Sequence, residues 1–460
     1  MADTATAQEF DILVLGGGSG GYAAALRAVQ LGFTVGLIEK AKLGGTCLHN
    51  GCIPTKALLH SAEVADSARS AEKYGIKATF ESIDMTAVNA YKDGIIAGKY
   101  KGLQGLIKAK GITVIEGAGR LTGENTVEVD GTTYTGKNIV LATGSYSRSL
   151  PGLEIGGKVI TSDQALTMET IPSTAIVLGG GVIGCEFASV WKSFGVDVTI
   201  IEGLPSLVPN EDASIVKNFE RAFKKRGIKF NTGTFFDKVE QNDDGVKVTL
   251  VDGKTFEADL MLVAVGRGPV TDGLGYDEAG ITLDRGFVIT NERLHTGVGN
   301  IYAVGDIVPG LQLAHRGYQQ GIFVAEEIAG LKPVVVEDVN IPKVTYSEPE
   351  IASVGLTEKA AREKLGDDKV EIQEYNLAGN GKSSILGTGG LVKLVREKDG
   401  PVVGVHMIGT RMGEQIGEAQ LIVNWEAYPE DVAQLVHAHP TQNESLGEAH
   451  LALAGKPLHG

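Results

Sequence analysis

The chain has 460 residues, too many for one hydrophobic core, which seldom grows past roughly 250 to 300 residues, so two to four domains are expected. Apolar residues make up 43% and charged residues 22%, with both signs mixed, which excludes a disordered chain, a collagen and a coiled-coil rod. Lys and Arg number 42 against 57 Asp and Glu, a net charge of −15 with no basic run, so neither nucleic acid nor an anionic membrane is an expected partner.

Met1–Glu9 carries Asp3 and Glu9 and lacks the basic and apolar parts of a leader, and no apolar run approaches the roughly 18 residues of a membrane span. The three cysteines, Cys47, Cys52 and Cys185, are too few to staple a chain this long and suit a reducing compartment, so a cytoplasmic protein is expected. Asp11–Leu15 reads as a strand running into Gly16-Gly17-Gly18-Ser19-Gly20-Gly21; an alanine-rich helix, Tyr22–Leu31, and a second strand, Thr34–Ile38, follow. The unit then repeats: Ala175–Leu178, Gly179-Gly180-Gly181-Val182-Ile183-Gly184, a helix to Phe194 and a strand at Val198–Ile201. Glu39 and Glu202 stand at the same distance past Gly21 and Gly184. Apolar strands ending in glycine turns, Ile139–Gly144 and Leu260–Gly266, complete two doubly wound α/β domains, the second interrupting the first. From about Ile341 short strands (Lys343–Thr345, Leu391–Val395, Val402–Met407) alternate with helices at 357–365 and 412–426, a terminal α+β domain without a nucleotide loop.

In each copy the glycines have distinct duties. Gly16 and Gly179 make the tight turn, Gly18 and Gly181 let backbone amides approach a pyrophosphate, and Gly21 and Gly184 let helix and strand pack closely. Glu39 and Glu202 would each hold ribose hydroxyls. Two dinucleotides in one chain imply electron transfer between them. Gly44–Lys56 places Cys47 and Cys52 at the start of one helix, a spacing that permits a reducible disulfide, while two buried free cysteines remain the bland alternative. No further cysteine or histidine pair lies close enough in sequence to complete a zinc site, so no metal is expected. A thiolate near the helix N-terminus and Lys56 would have a lowered pKa.

The Gly44–Lys56 segment, flanked by two G-x-G-x-x-G units, resembles the active-site stretch of the pyridine nucleotide-disulfide oxidoreductases. The likeness extends over nearly the whole chain through Ala142-Thr143-Gly144-Ser145, Gly266-Arg267-Gly268-Pro269, Ala303-Val304-Gly305-Asp306, Tyr346–Glu350 and His437-Ala438-His439-Pro440-Thr441. The resemblance implies an FAD-binding domain at residues 1–150, an NAD-binding domain at 151–270, a segment at 271–340 returning to the first, and a C-terminal dimerisation domain at 341–460. FAD would be held by Gly16, Gly18, Gly21, Glu39, Gly45, Thr46 and Lys56, with Gly119 near its adenine. Thr143, Gly144, Ser145 and Asp306 would border it, and Ala314 would back its ring. Glu186 would pair with Lys56; NAD would lie on Gly179, Gly181, Gly184, Glu202 and Gly266.

Catalysis is implied to run through a Cys47–Cys52 disulfide. His439 would be the base, oriented by Glu444 and acting across a homodimer on a dihydrolipoyl thiol carried by an acyltransferase subunit or lipoyl domain. Pro440 could fix His439 by a cis bond. From residues alone, His439 reads first as a structural residue and Thr441-x-x-Glu444 as a capping box, a reading the resemblance reverses, and the two uses of Glu444 are expected to compete. His49, Asn50, Val270 and Gln320 depart from the family pattern, while Gln442 and Asn443 fill variable slots. The last residues lack the second cysteine pair of mercuric reductases, and no Lys or Arg occurs from Gly203 through Val216 to favour NADPH. A reductase for another disulfide or quinone, or an NADH-sensing flavoprotein, is the alternative.

Overall fold

The computed structural model describes residues 8–335 and 337–459, so the reading of Met1–Glu9 as lacking a leader falls largely outside the described residues. The chain divides into two compact units. The first gathers the residues up to Ala57 with Thr86–Arg148 and Gly266–Asp338; the second gathers Leu58–Met85, Ser149–Val265 and the chain from Val339 onward.

The first unit is built on a parallel sheet. Its strands run in the order Thr113–Glu116, Val35–Glu39, Gln8–Leu15, Thr132–Leu141, and Ile301–Ala303 pairs alongside the last. Two antiparallel strands, Thr126–Val129 and Gly119–Gly123, extend it. Ile12 to Leu15 are all buried, the continuous apolar run of a strand covered on both faces. Each such side chain contributes about 1.5–3 kcal/mol by leaving water.

Helix Ser19–Gln30 packs along helix Ala314–Ile328. Glycine makes this approach possible, since a Cβ on Gly321 would stand 2.2 Å from the carbonyl oxygen of Gly20.

The second unit repeats the plan. Its parallel sheet has the order Lys229–Thr232, Asp197–Glu202, Thr174–Leu178, Leu260–Val263, Val159–Ile160, so the repeat read from the two glycine motifs is a repeat of topology. An antiparallel triplet at Phe236–Gln241, Val246–Leu250 and Thr255–Ala258 is added.

The terminal α+β portion contains a five-stranded antiparallel sheet ordered Lys343–Thr345, Glu350–Gly355, Val402–Gly409, Leu391–Glu397, Val370–Asn376. Glu350–Gly355 and Val370–Asn376 are strands that sequence reading passed over. Helices Met412–Asn424 and Glu444–Leu453 cover this sheet over a core of Val392, Leu394, Met407 and Leu446.

Candidate functional site

The two glycine fingerprints fold as near copies. Gly16 and Gly179 have φ of +107° and +111°, left-handed values that an L side chain resists. A Cβ on Gly21 would lie 1.8 Å from the oxygen of Gly16, and one on Gly184 would lie 2.0 Å from that of Gly179, so both third glycines are demanded by packing. By contrast, a Cβ on Gly181 would meet nothing within 4 Å, and one on Gly18 only the Cα of Gly45 at 3.9 Å. Each of these second glycines is the N-cap of a helix, Ser19–Gln30 or Val182–Ser193, with no side chain capping its first amides, the arrangement that suits an anion at a helix N-terminus.

The acids behave alike too. Glu39 accepts hydrogen bonds from the amides of Gly17 (2.7 Å) and Ala41 (2.8 Å); Glu202 accepts from Gly180 (2.6 Å) and Leu204 (2.8 Å). One oxygen of each carboxylate is tied to its glycine loop and the other to the turn beyond, leaving further lone pairs for ribose hydroxyls.

Beside Glu39 the first unit has a cavity of about 330 Å³ lined by Leu43, Tyr100, Ile107, Ile112 and Glu116. Its lining mixes apolar side chains with Gln104, Lys108 and two carboxylates, Glu39 and Glu116. A larger depression of about 460 Å³, lined by residues such as Thr174, Gln241, Asp244 and Lys247, contains none of the motif residues. Gly119 packs against Leu15 and Ile38, where a Cβ would come within 2.5 Å of Leu15. Gly45, at φ +57°, lies against Gly18 with Thr46 following it in helix Gly45–His49.

Thr143, Gly144 and Ser145 lead to a network that sequence did not disclose. Thr143 donates to the carbonyl of Val270 (2.6 Å) and meets the hydroxyl of buried Tyr276 at 3.1 Å, while Gly144 accepts from the Val270 amide. Ser145 donates to Asp306 at 2.5 Å and accepts from Nε of Arg267 at 2.8 Å, so a guanidinium stands behind the acid through one hydroxyl. Gly266, at φ +107°, accepts from the Arg148 amide at the turn into strand Arg267–Pro269. Gln320 keeps its place despite lacking charge: its amide oxygen accepts from the Gly305 amide at 2.8 Å. Ala314 is the first residue of its helix.

Cys47 and Cys52 are free thiols in contact, but they do not share a helix as the spacing suggested. Cys47 lies within helix Gly45–His49; Cys52 opens helix Cys52–Ser70, with Lys56 one turn along it. The expectation of a lowered thiol pKa is corrected for Cys47. Its hydrogen bond to Cys52 and then its burial push the pKa far up, and Lys56 and the Tyr318 hydroxyl only oppose this. The helix N-terminus and its dipole belong to Cys52 instead. The rings of Tyr318 and Tyr22 meet at a tilt of 52° with centroids 5.5 Å apart beside Cys47, a neighbourhood set by folding alone. Cys185 is fully buried, donates to the oxygen of Gly180 at 3.3 Å and is pushed up by desolvation and by Glu186. Glu186 is buried and accepts from the Tyr346 amide at 2.9 Å.

In the terminal portion, Nδ1 of His439 lies 2.8 Å from Oε1 of Glu444, and the other Glu444 oxygen accepts from the Thr441 amide at 2.7 Å. The expected competition between base partner and cap is therefore wrong: each use takes one oxygen of the same carboxylate. The Thr441 hydroxyl in turn accepts from the Glu444 amide at 3.3 Å, although the helix proper begins only at Glu444. Burial pulls the Glu444 pKa up, but Thr441 and His439 outweigh it and hold it below the usual range. The imidazole is 78% exposed, and the His439–Pro440 bond is cis. A second pair stands near it, His437 to Glu418 at 2.9 Å.

Residues 10–321 match the family described as pyridine nucleotide-disulphide oxidoreductase, and residues 341–450 match its dimerisation domain. The chain belongs to this family, whose members of this kind work with FAD and NAD(H). It is 42% identical to a dihydrolipoyl dehydrogenase of Bacillus subtilis, the alignment covering 98% of this chain and 100% of that one. It is 39% identical to the mitochondrial dihydrolipoyl dehydrogenase of Pisum sativum, over 98% and 93% of the two chains. Among solved structures, LpdA from Mycobacterium tuberculosis superposes with a TM-score of 0.89 at 26% identity, covering 97% of this chain and 99% of that one. The HOCl-induced flavoprotein disulfide reductase RclA from Escherichia coli, in its Cu(II) complex, superposes with a TM-score of 0.87 at 25% identity, over 97% and 100%. No helix among the described residues is long and apolar enough to cross a membrane.

Proposed function

We propose that this chain oxidises dihydrolipoyl groups carried on lipoyl domains or acyltransferase subunits of 2-oxoacid dehydrogenase complexes and passes the electrons to NAD, as a cytoplasmic homodimer. The observation that carries this reading is the contact of Cys47 with Cys52 in the unit that bears the first dinucleotide fingerprint. Identity near 40% over the full length of dihydrolipoyl dehydrogenases supports it over the 25% shared with a reductase of another name.

In the oxidised enzyme Cys47 and Cys52 form a disulfide. A substrate thiol gives its proton to Nε2 of His439, the nitrogen left free by the Nδ1–Glu444 bond, and its sulfur attacks Sγ of Cys47. The Cys47–Cys52 bond breaks and Cys52 leaves as thiolate, which the helix N-terminus and Lys56 favour. The second substrate thiol then displaces Cys47, its proton passing to the Cys47 sulfur as the oxidised ring closes, which leaves Cys47 as thiol, Cys52 as thiolate and the first proton on His439. Gly16–Gly21 would hold FAD, with Ser145 and Asp306 bordering it and Ala314 backing its ring, and the bound group would supply the two-electron relay from the Cys47–Cys52 pair to the nicotinamide.

Glu202 sets the choice of nicotinamide cofactor: its carboxylate would repel a 2′-phosphate, and no cation stands in residues 203–216 to offset that. Steady-state assays of the FAD-loaded dimer with dihydrolipoamide test the reading. NAD should support turnover with kcat/KM at least roughly a hundredfold above NADP, and Glu202→Ala should lower the NAD value about ten- to a hundredfold, as lost charge-assisted bonds of about 1.5–3 kcal/mol require. Equal use of NADP, or no turnover of the dithiol, overturns the assignment.

A further inference from the structure

His439 presents a problem of support. Its ring is 78% exposed and, among the described residues, its hydrogen bond is to Glu444, so the ring itself contributes little to its own placement. The chain behind it is held instead. Asn380, buried, donates from Nδ2 to the carbonyl of Thr441 at 2.9 Å and accepts from the Ser383 amide at 2.8 Å. The Ser383 hydroxyl, also buried, donates to Oε1 of Gln442 at 2.7 Å, and Nε2 of Gln442 donates to the Thr410 carbonyl at 2.8 Å. Gly381, between Asn380 and Ser383, faces the imidazole; a Cβ there would be 3.8 Å from its Cε1.

From this we infer that Asn380, Ser383 and Gln442 are positioning residues that clamp the segment behind His439 and so set the aim of the base. The inference rests on the reading of His439 as that base. The physical ground is that buried polar bonds have narrow geometry, and that the cost of losing one falls on the partner left unpaired. A leucine of similar size at 442 would strand the Ser383 hydroxyl and the Thr410 carbonyl, leaving the loop free to shift. A misplacement of about 1 Å can cost on the order of a hundredfold in rate. An apolar residue would fill the same space, so volume alone does not call for glutamine; both ends of its amide are in use.

The test separates the two half-reactions of the FAD-loaded dimer by rapid mixing. Reduction by dihydrolipoamide needs the base, whereas reduction by NADH enters from the nicotinamide side. Gln442→Leu, and independently Asn380→Ser, should slow the first at least about tenfold and leave the second within roughly twofold. Ser383→Ala combined with Gln442→Leu should be no worse than Gln442→Leu alone, because the hydroxyl is no longer stranded. Thermal unfolding of each variant guards against a folding defect, and the second variant serves where the first does not fold. If both half-reactions slow together, or neither slows, the clamp is overturned. His439→Gln is the reference: if it leaves dithiol reduction intact, the base reading falls and the clamp with it, whereas if it slows that step and the clamp variants do not, only the clamp falls.

Discussion

At the scale of single residues, the three cysteines are separated by environment rather than by type. Cys185 has no exposed surface and sits beside Glu186, both of which hold its thiol protonated, whereas Cys52 opens a helix and faces Cys47. Reducing the FAD-loaded enzyme with one equivalent of dithionite should raise a long-wavelength thiolate-to-flavin absorption. Cys52→Ser should abolish it and Cys185→Ser should leave it intact; the reverse pattern would refute the assignment. His450 allows a test by pH. Burial lowers its pKa to about 4, with the Leu446 carbonyl and Glu418 opposing, so between about pH 6.5 and 4 the unfolded chain takes up a proton that the folded one refuses. Stability should therefore fall as pH drops through that window, by up to about 3 kcal/mol from this group. His437, raised by its bond to Glu418, works in the opposite sense, gaining stability below its unfolded value and losing it as pH rises. Denaturant midpoints measured from pH 7 to pH 4 should show a steeper loss in the parent than in His450→Leu.

At the scale of elements, the strand–glycine–helix units carry most of the cofactor argument, and their tolerances are quantitative. Adding a methyl at Gly184 brings it within 2.0 Å of a backbone oxygen that belongs to the same turn and cannot swing aside. Such overpacking typically costs about 1–3 kcal/mol, and here it would part the helix from its strand at the nucleotide. Gly184→Ala should raise the KM for NAD at least roughly tenfold while the flavin-to-protein absorbance ratio stays at the parent value. Gly21→Ala should do the converse and yield flavin-depleted protein. Equal loss of both nucleotides in either variant would show that the two fingerprints do not act separately. The ion cluster of buried Lys393 and Asp212 with half-buried Glu358, at 2.9 and 2.6 Å, ties helices Ala213–Lys225 and Glu358–Leu365 to strand Leu391–Glu397. None of these three residues stood out by spacing or motif.

At the scale of the whole molecule, the base and the disulfide are proposed to come from different subunits. The dimerisation domain at residues 341–450 holds His439, and its ring is open on the side that does not meet Glu444. Co-refolding Cys47→Ser subunits with His439→Gln subunits tests the division. Mixed dimers should recover one working site of two, close to half the parent activity per mixed dimer, while each parent variant alone remains nearly inactive. An active site contained in one chain would leave the mixed dimers dead.

The sequence by itself determined the two fingerprints, the acid that follows each, the cysteine pair and the order of the later motifs. Those signals are local: a tight turn, a close helix–strand approach and a short cysteine spacing each act within one stretch of chain. The glycine duties could be assigned from spacing because steric exclusion at Gly21 and Gly184 arises within their own turns. Tertiary structure alone decided the rest. Arg267 is linked to Asp306 through Ser145, Tyr318 meets Cys47 from a helix that packs along Ser19–Gln30, and Asn380 meets Thr441 across a sequence gap no periodicity spans. Thiol ionisation belonged to the same class. Helix dipole and lysine could be read in advance, but burial and the facing sulfur are properties of the folded core, and for Cys47 they win. Glu444 is the clearest case, since only the placement of its two oxygens showed that one carboxylate can serve cap and base together.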